Sequence, residues 1–261
     1  REPFKEPIGS RRRKPLAAPS EMEMWSPWHG CHRISPGCAN CYVYARDAAY
    51  GKDSSVVEKT KSFDLPLRRD RQGNYKLRCN SPVFTCGTSD FFLPEADPWR
   101  LEAWSMIKAR PDLTFAIITK RPQRFYVNLP LDWGQGYPNV RLYCTVENQA
   151  EADRRLPVFL SLPLRYRAIN CEPLLENLNL TAYLNPQLLK KVSVGGESGP
   201  HGRDLSYQWV VAIRQQCLAY GIPFAFKQTG THFIKNGRRY TIPRQLQHQQ
   251  AIRAGLDYPK P

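Results

Sequence analysis

From residue 82 onward the chain alternates short runs of β-branched and aromatic residues with longer polar or amphipathic stretches. The runs at 82–86, 114–119, 141–146, 166–170, 191–194 and 223–226 predict strands, and a further strand is expected just ahead of Cys31. Between them, 98–109 and 205–220 carry apolar residues at helical spacing, with Gly221 standing where a helix C-cap belongs. Residues 148–162 read the same way, with Pro157 predicted to break or kink the helix. Strands that alternate with helices are the mark of consecutive βα units, so the expected class is α/β with parallel strands. At 261 residues, one large domain is expected.

Polar residues collect where these strands end. Thr88, Ser89 and Asp90 follow the first run, and then come Lys120 with Arg121, Glu147 with Asn148, Glu172 with Pro173, Gly195, Gly196 and Glu197, and finally Lys227 with Gln228. In a parallel barrel or a doubly wound sheet all strand ends open on one face, and that face carries the active site. For any single cluster a turn or a helix N-cap is the competing explanation; the repetition favours an enzyme. The stretch 195–199 (GGESG) has little side-chain bulk, which lets backbone amides approach a ligand closely. It matches neither the phosphate loop of nucleoside triphosphatases nor the dinucleotide fingerprint.

Three of the eight cysteines, Cys31, Cys38 and Cys41, fall on one short stretch with six and two residues between them. Three thiolates from a single loop can hold three irons of a cubane cluster and leave the fourth open to a substrate or cofactor. A structural zinc site is the alternative, with His29 or His32 as fourth ligand, although no second Cys or His pair follows downstream. A disulfide framework fits less well, because no apolar signal segment is visible and the chain is far from disulfide-dense. Reduced, cytoplasmic cysteines are therefore expected.

The formal net charge of +15 points to a polyanionic partner. Arg11, Arg12, Arg13 and Lys14 sit among Pro, Ser and Gly without periodicity and read as a flexible basic arm. Further clusters occur at 68–71, 121–124, 154–155 and 238–239, often near aromatic residues. A single run of this kind is often only a solvated face; together they favour nucleic acid, because counterion release makes a broadly basic surface a good phosphate binder. No apolar stretch is long enough to cross a bilayer, so no membrane is expected among the partners.

The segments 25–31 (WSPWHGC), 38–42 (CANCY), 88–92 (TSDFF), 119–122 (TKRP), 145–149 (TVENQ), 171–175 (CEPLL), 195–199 and 226–228 (FKQ) give the chain a resemblance to the radical S-adenosylmethionine superfamily. More narrowly, it resembles a group of phage-borne and bacterial proteins related to the spore photoproduct lyase branch. The resemblance implies a partial (βα)6-type TIM-like barrel in which Cys31, Cys38 and Cys41 ligate a [4Fe-4S] cluster. S-adenosyl-L-methionine would chelate the open iron and, on receipt of one electron from an external reductant, would yield a 5'-deoxyadenosyl radical that abstracts hydrogen from substrate. The loop departs from the commonest superfamily spacing, which has three residues between the first two cysteines. Asn40, not an aromatic residue, precedes the last cysteine, and Tyr42 follows it.

By the same resemblance, Asp90 and Ser89 would meet the methionine amino group, because they stand where the superfamily carries Gly-Gly-Glu. Tyr42, Lys120, Gly195, Gly196 and Glu197 join the cofactor-binding set, the glycines through backbone contacts to adenine or substrate. Glu147, Asn148 and Glu172 would meet ribose hydroxyls or substrate. Cys144 and Cys171 are the candidate catalytic thiols that return hydrogen to a product radical; Cys86 lies near another strand end.

The expected organisation is a basic arm over 1–24, a barrel over 25–234 and an extension over 235–261 packed on the barrel. In the extension, Asn236 and Gly237 mark a hairpin turn and 245–250 is a polar stretch able to line a groove or close the barrel's open side. The leading function is a radical enzyme that repairs or modifies a nucleic acid or nucleotide. The rivals are the same chemistry on a peptide or small metabolite, and a nucleic-acid-binding protein with a structural or redox cluster.

Overall fold

The computed structural model describes residues 23–259. Nearly all of the expected basic arm, Arg11 to Lys14 included, lies outside them. In chain order the elements are β1 (Met24–Trp25), β2 (Trp28–His29), α1 (Tyr42–Ala49), β3 (Glu58–Lys59), β4 (Val83–Thr85), α2 (Asp97–Lys108), β5 (Phe115–Thr119), β6 (Val140–Thr145), α3 (Gln149–Ser161), β7 (Arg167–Cys171), β8 (Leu189–Gly195), β9 (Asp204–Ser206), α4 (Tyr207–Ala219), β10 (Phe224–Gln228), β11 (His232–Lys235), β12 (Arg238–Thr241) and α5 (Arg244–Arg253).

The main sheet has seven strands in the order β1-β4-β5-β6-β7-β8-β10, every neighbouring pair parallel. Each strand lies beside the previous one of the sheet, so the sheet winds in one direction and curls into a half-barrel flanked by helices. All strands therefore end on the same rim, as the sequence pattern requires. The strand count is seven because the two-residue β1, just ahead of Cys31, pairs with β4.

Register divides the sheet into two faces. Ile117, Leu142, Cys144, Ile169, Cys171, Val192 and Val194 are buried to the last atom or nearly so, and form the outer face under the helices. On the opposite, concave face, Thr145, Asn170 and Ser193 stand in line and are buried, while Ile118, Arg141, Tyr143, Tyr166 and Lys191 are only half-buried. A parallel sheet packed on both sides would be apolar on both; this concave side is polar and partly open.

Several arginines, Arg121 and Arg155 of the basic clusters among them, are buried structural anchors. Arg155 is 1% exposed, donates to the Thr145 carbonyl at 2.6 Å and pairs with Glu147 and Glu151. Arg100 donates to the carbonyls of Phe91 and Leu93, and Arg110 to that of Leu77, both from full burial. Arg121 is buried against Asp90, Arg124 pairs with Asp97, and Arg239 pairs with Asp204. A planar guanidinium can satisfy several buried carbonyls at once.

One local expectation changes. Pro157 does not break α3, which continues to Ser161: Pro157 and Asp153, whose carbonyl loses its helical partner, both face solvent. Asn148 caps the same helix, its Oδ1 accepting from the Glu151 amide at 2.8 Å. Past the barrel, Asn236 and Gly237, both at positive φ, turn β11 into β12 as an antiparallel hairpin; β11 also pairs with β9, which ties the extension into the domain. α5 then packs on β10. Among the described residues no helix is long and apolar enough to cross a membrane.

Candidate functional site

The cysteine loop lies between β2 and α1 and is held at both ends. Position 30 requires glycine on two counts, a φ of +96 and a Cβ position only 2.2 Å from the Val56 carbonyl oxygen; the next residue, Cys31, donates its amide to Ser54 O at 2.8 Å. Residues Pro36–Cys38 make one 3-10 turn, and α1 starts directly after Cys41. The rim of the sheet then grips the loop from several strands. Gly37 donates its amide to Glu147 Oε1 at 3.2 Å, Arg121 donates to His32 O at 2.8 Å, and Arg203 donates to Pro36 O at 3.0 Å. Asn40 Nδ2 donates to Glu197 Oε2 at 2.9 Å, Tyr44 donates to Cys31 O at 2.9 Å, and the hydroxyls of Tyr42 and Ser89 donate to Gly87 O and Gly30 O.

All three thiols open on one cavity of about 590 Å³ at the strand ends. Lys120 Nζ lies 3.4 Å from Cys38 Sγ, and Arg121 Nη1 lies 3.9 Å from Cys31 Sγ. Burial pushes the Cys31 thiol up to about 11, with the Asp90 carboxylate adding and Arg121 opposing. Burial likewise raises Cys41. At Cys38 burial again acts to raise the thiol, but Lys120 and hydrogen bonds from Ile34 and Ser35 outweigh it, and the thiol falls below its usual range.

Of the expected cofactor-binding residues, Tyr42, Ser89, Asp90, Lys120, Glu172, Gly196 and Glu197 line this cavity. Asp90 does so with its carboxylate fully engaged: Oδ1 accepts from the Phe92 amide and the Thr119 hydroxyl, Oδ2 from the Lys120 amide and Arg121. Glu197 is engaged in the same way, by Asn40 and by three contacts from Arg203. Burial would raise the Glu197 carboxyl, yet these donors hold it below the ordinary range.

Glu172 differs. Burial raises its carboxyl above the usual range, and only partial relief comes from Gln228 Nε2, which donates to Oε1 at 2.7 Å. Gly195 stands behind it, where a Cβ would be 2.7 Å from Glu172 Cδ. Glu147 and Asn148 sit outside the lining, the first behind Gly37 and the second as a helix cap. Cys144 and Cys171 lie on the outer face of the sheet, fully buried, with burial raising both thiols; Cys86, at φ +59, is the thiol beyond the loop that lines the cavity.

Arg203 and Gly37 were not singled out by the sequence, and Asn40 was noted only for not being aromatic; the roles of all three depend on partners more than a hundred residues away. From the last elements, Lys227, Gln228, Arg244, Gln247 and His248 complete the wall. His248 Nδ1 lies 2.8 Å from Lys227 O.

The two histidines near the cysteine loop that could complete a zinc site are engaged elsewhere. His29 is taken by Asp47 and His32 by Glu95, each at 2.8 Å. Among the described residues no group of three or more His, Cys, Asp or Glu is gathered to hold a single metal ion. Two cations, Lys120 and Arg121, stand beside the thiols of Cys38 and Cys31 and favour their ionised form.

No curated protein and no solved structure matches the chain. A family model described as protein of unknown function (DUF5131) does match, over residues 21–255, and the chain belongs to that family.

Proposed function

We propose that this protein is a radical S-adenosylmethionine enzyme, built as a partial TIM-like barrel, that acts on a nucleic acid or nucleotide. The observation that carries the reading is the meeting of Cys31, Cys38 and Cys41 on one cavity at the C-terminal rim of a parallel half-barrel. Cys31, Cys38 and Cys41 would hold a [4Fe-4S] cluster, and the cavity would receive S-adenosyl-L-methionine beside it. When bound, the two supply one-electron cleavage of a sulfonium carbon–sulfur bond, fed by an external reductant, and a carbon radical able to take hydrogen from substrate.

The chain's own residues set the conditions for that chemistry. Glu147, Arg121 and Arg203 hold the loop backbone and Glu197 holds the Asn40 side chain, which favours one orientation of the three thiols. Lys120 and Arg121 hold positive charge against the thiolates. Glu172, whose carboxyl burial holds above the usual range, presents that group to the cavity. Half-enclosure of the cavity limits water and stray partners around a reactive intermediate.

The test is formation of 5'-deoxyadenosine from S-adenosylmethionine by anaerobically reconstituted, reduced protein, with Cys38→Ala as control. Cleavage by the wild type alone supports the reading. A site that takes up zinc and refuses iron overturns it.

A further inference from the structure

One strand step below the cysteine cavity, the concave face carries a second constellation. Ile118 lines the cavity and pairs in register with Tyr143, whose ring centre lies 5.8 Å from that of Tyr166. Arg141, two residues back on β6 and on the same face, stands over Tyr166 with its guanidinium 5.0 Å from the ring centre. Lys191 on β8 pairs with Ala168, which itself pairs with Tyr143, so the ammonium rises from the same row. Lys227 on β10 lines the cavity wall next along.

Two carboxyl groups act on these cations: Glu172, which burial drives toward its neutral form, beside Lys227, and Asp257 beside Lys191. Burial lowers the Lys191 ammonium, and Lys227 and Arg141 lower it further by repulsion; the carboxylate acting against them is Asp257, whose Oδ1 already accepts from the Phe226 amide at 2.8 Å. Three like charges gathered on a concave surface are stabilised when a polyanion arrives and releases its counterions. Aromatic rings beside them give a base a face to stack on. The neighbouring strands β6, β7, β8 and β10 span roughly 14 Å at about 4.8 Å per step, a width suited to one nucleic-acid strand rather than to a duplex docked whole.

We infer that the concave face binds a single-stranded nucleic-acid segment, its phosphates against Arg141, Lys191 and Lys227 and one base stacked on Tyr143 and Tyr166. A nucleotide next to the stacked one then enters the cysteine cavity. This last step rests on the function proposed above; the binding itself does not.

The test uses fluorescence anisotropy of a labelled oligothymidylate with the full chain, without cluster or cofactor, across a salt series. The double variant Lys191→Gln/Lys227→Gln is expected to bind about tenfold more weakly or worse, and its log–log salt slope to fall by about 1.4, near 0.7 for each lost phosphate contact. Tyr166→Leu weakens binding by about tenfold with the slope unchanged. The charge-matched variant Lys108→Gln/Arg154→Gln, on the outer helices α2 and α3, binds as the wild type does.

Photocrosslinking of a bromodeoxyuridine oligonucleotide to unaltered protein adds a readout that no folding defect can affect, with crosslinks expected on peptides from β6 and β7. Absence of binding, equal binding by the double lysine variant, preference for duplex, or crosslinks confined to other peptides overturns the inference. None of these results bears on cleavage of S-adenosylmethionine, so a failure here and a failure of the proposed chemistry are read separately.

Discussion

The amide of Gly37 faces Glu147 Oε1 at 3.2 Å, and there is no room for another atom between them. A Cβ at position 37 would lie 2.9 Å from Glu147 Cδ and Oε1 and from Lys120 Nζ. Glu147 cannot withdraw, because Arg155 holds its other oxygen at 2.8 Å from full burial. Gly37→Ala should therefore displace the cysteine turn while sparing the core. Iron bound after anaerobic reconstitution is expected to fall severalfold, with the melting temperature lowered by no more than about 2–4 °C, as roughly 1 kcal/mol would do in a domain of this size. Full iron loading in the variant would remove the turn's role as a positioning device.

Glu197 ties Asn40 and Arg203 together, and its loss leaves them only the carbonyls of His201 and Pro36. For Glu197→Ala the local cost is about 1–3 kcal/mol, enough to accelerate amide hydrogen exchange across 35–41 by tenfold or more. Unchanged exchange in that segment would show that the other anchors suffice.

Burial holds the folded-state pKa of Glu172 above its unfolded value. The sign follows from proton binding: between the two values the folded state keeps a proton that the unfolded chain has lost, so stability falls as pH rises. The contribution is complete below the ordinary carboxylate pKa and is gone once pH passes the raised one. Glu172→Gln should abolish this part of the profile, so that the variant gains on the wild type as pH climbs from about 4 toward neutrality. Parallel denaturation midpoints over that range would refute it.

Cys144 and Cys171 are packed on the outer face of the sheet, away from the cavity. Serine at either position buries a hydroxyl in an apolar setting, at a cost of about 1–3 kcal/mol. Thermal stability is expected to drop in both variants with no change in the yield of 5'-deoxyadenosine per bound cluster. A selective loss of product formation at full cluster loading would instead give one of these thiols a part in the chemistry.

The strands were legible because a parallel sheet writes itself as short apolar runs: the run at 114–119 is β5, Phe115–Thr119, and that at 166–170 overlaps β7, Arg167–Cys171. The strand-end rule also located much of the cavity wall, since Ser89, Lys120, Glu172 and Gln228 line it. Charge was harder to read. Arg121 and Arg155 look like basic clusters along the chain yet are buried counterions of Asp90 and Glu147, and nothing local distinguishes an anchoring arginine from a solvated one. Conversely, Arg141, Lys191 and Lys227 are scattered in sequence and meet only through register. The cap at Asn148 was within reach, because Glu151 follows it at capping-box spacing.

The clamp on the cysteine loop also sets an order of assembly. Pro36 O waits for Arg203, 167 residues later, and Asn40 waits for Glu197, 157 residues later. During synthesis the cysteine turn emerges early, but its final shape requires the loop after β8 that carries Glu197. If the site takes the cluster proposed above, it is ready for loading only after most of the half-barrel has left the ribosome, and a chain truncated before Arg203 would carry all three cysteines without the contacts that present them.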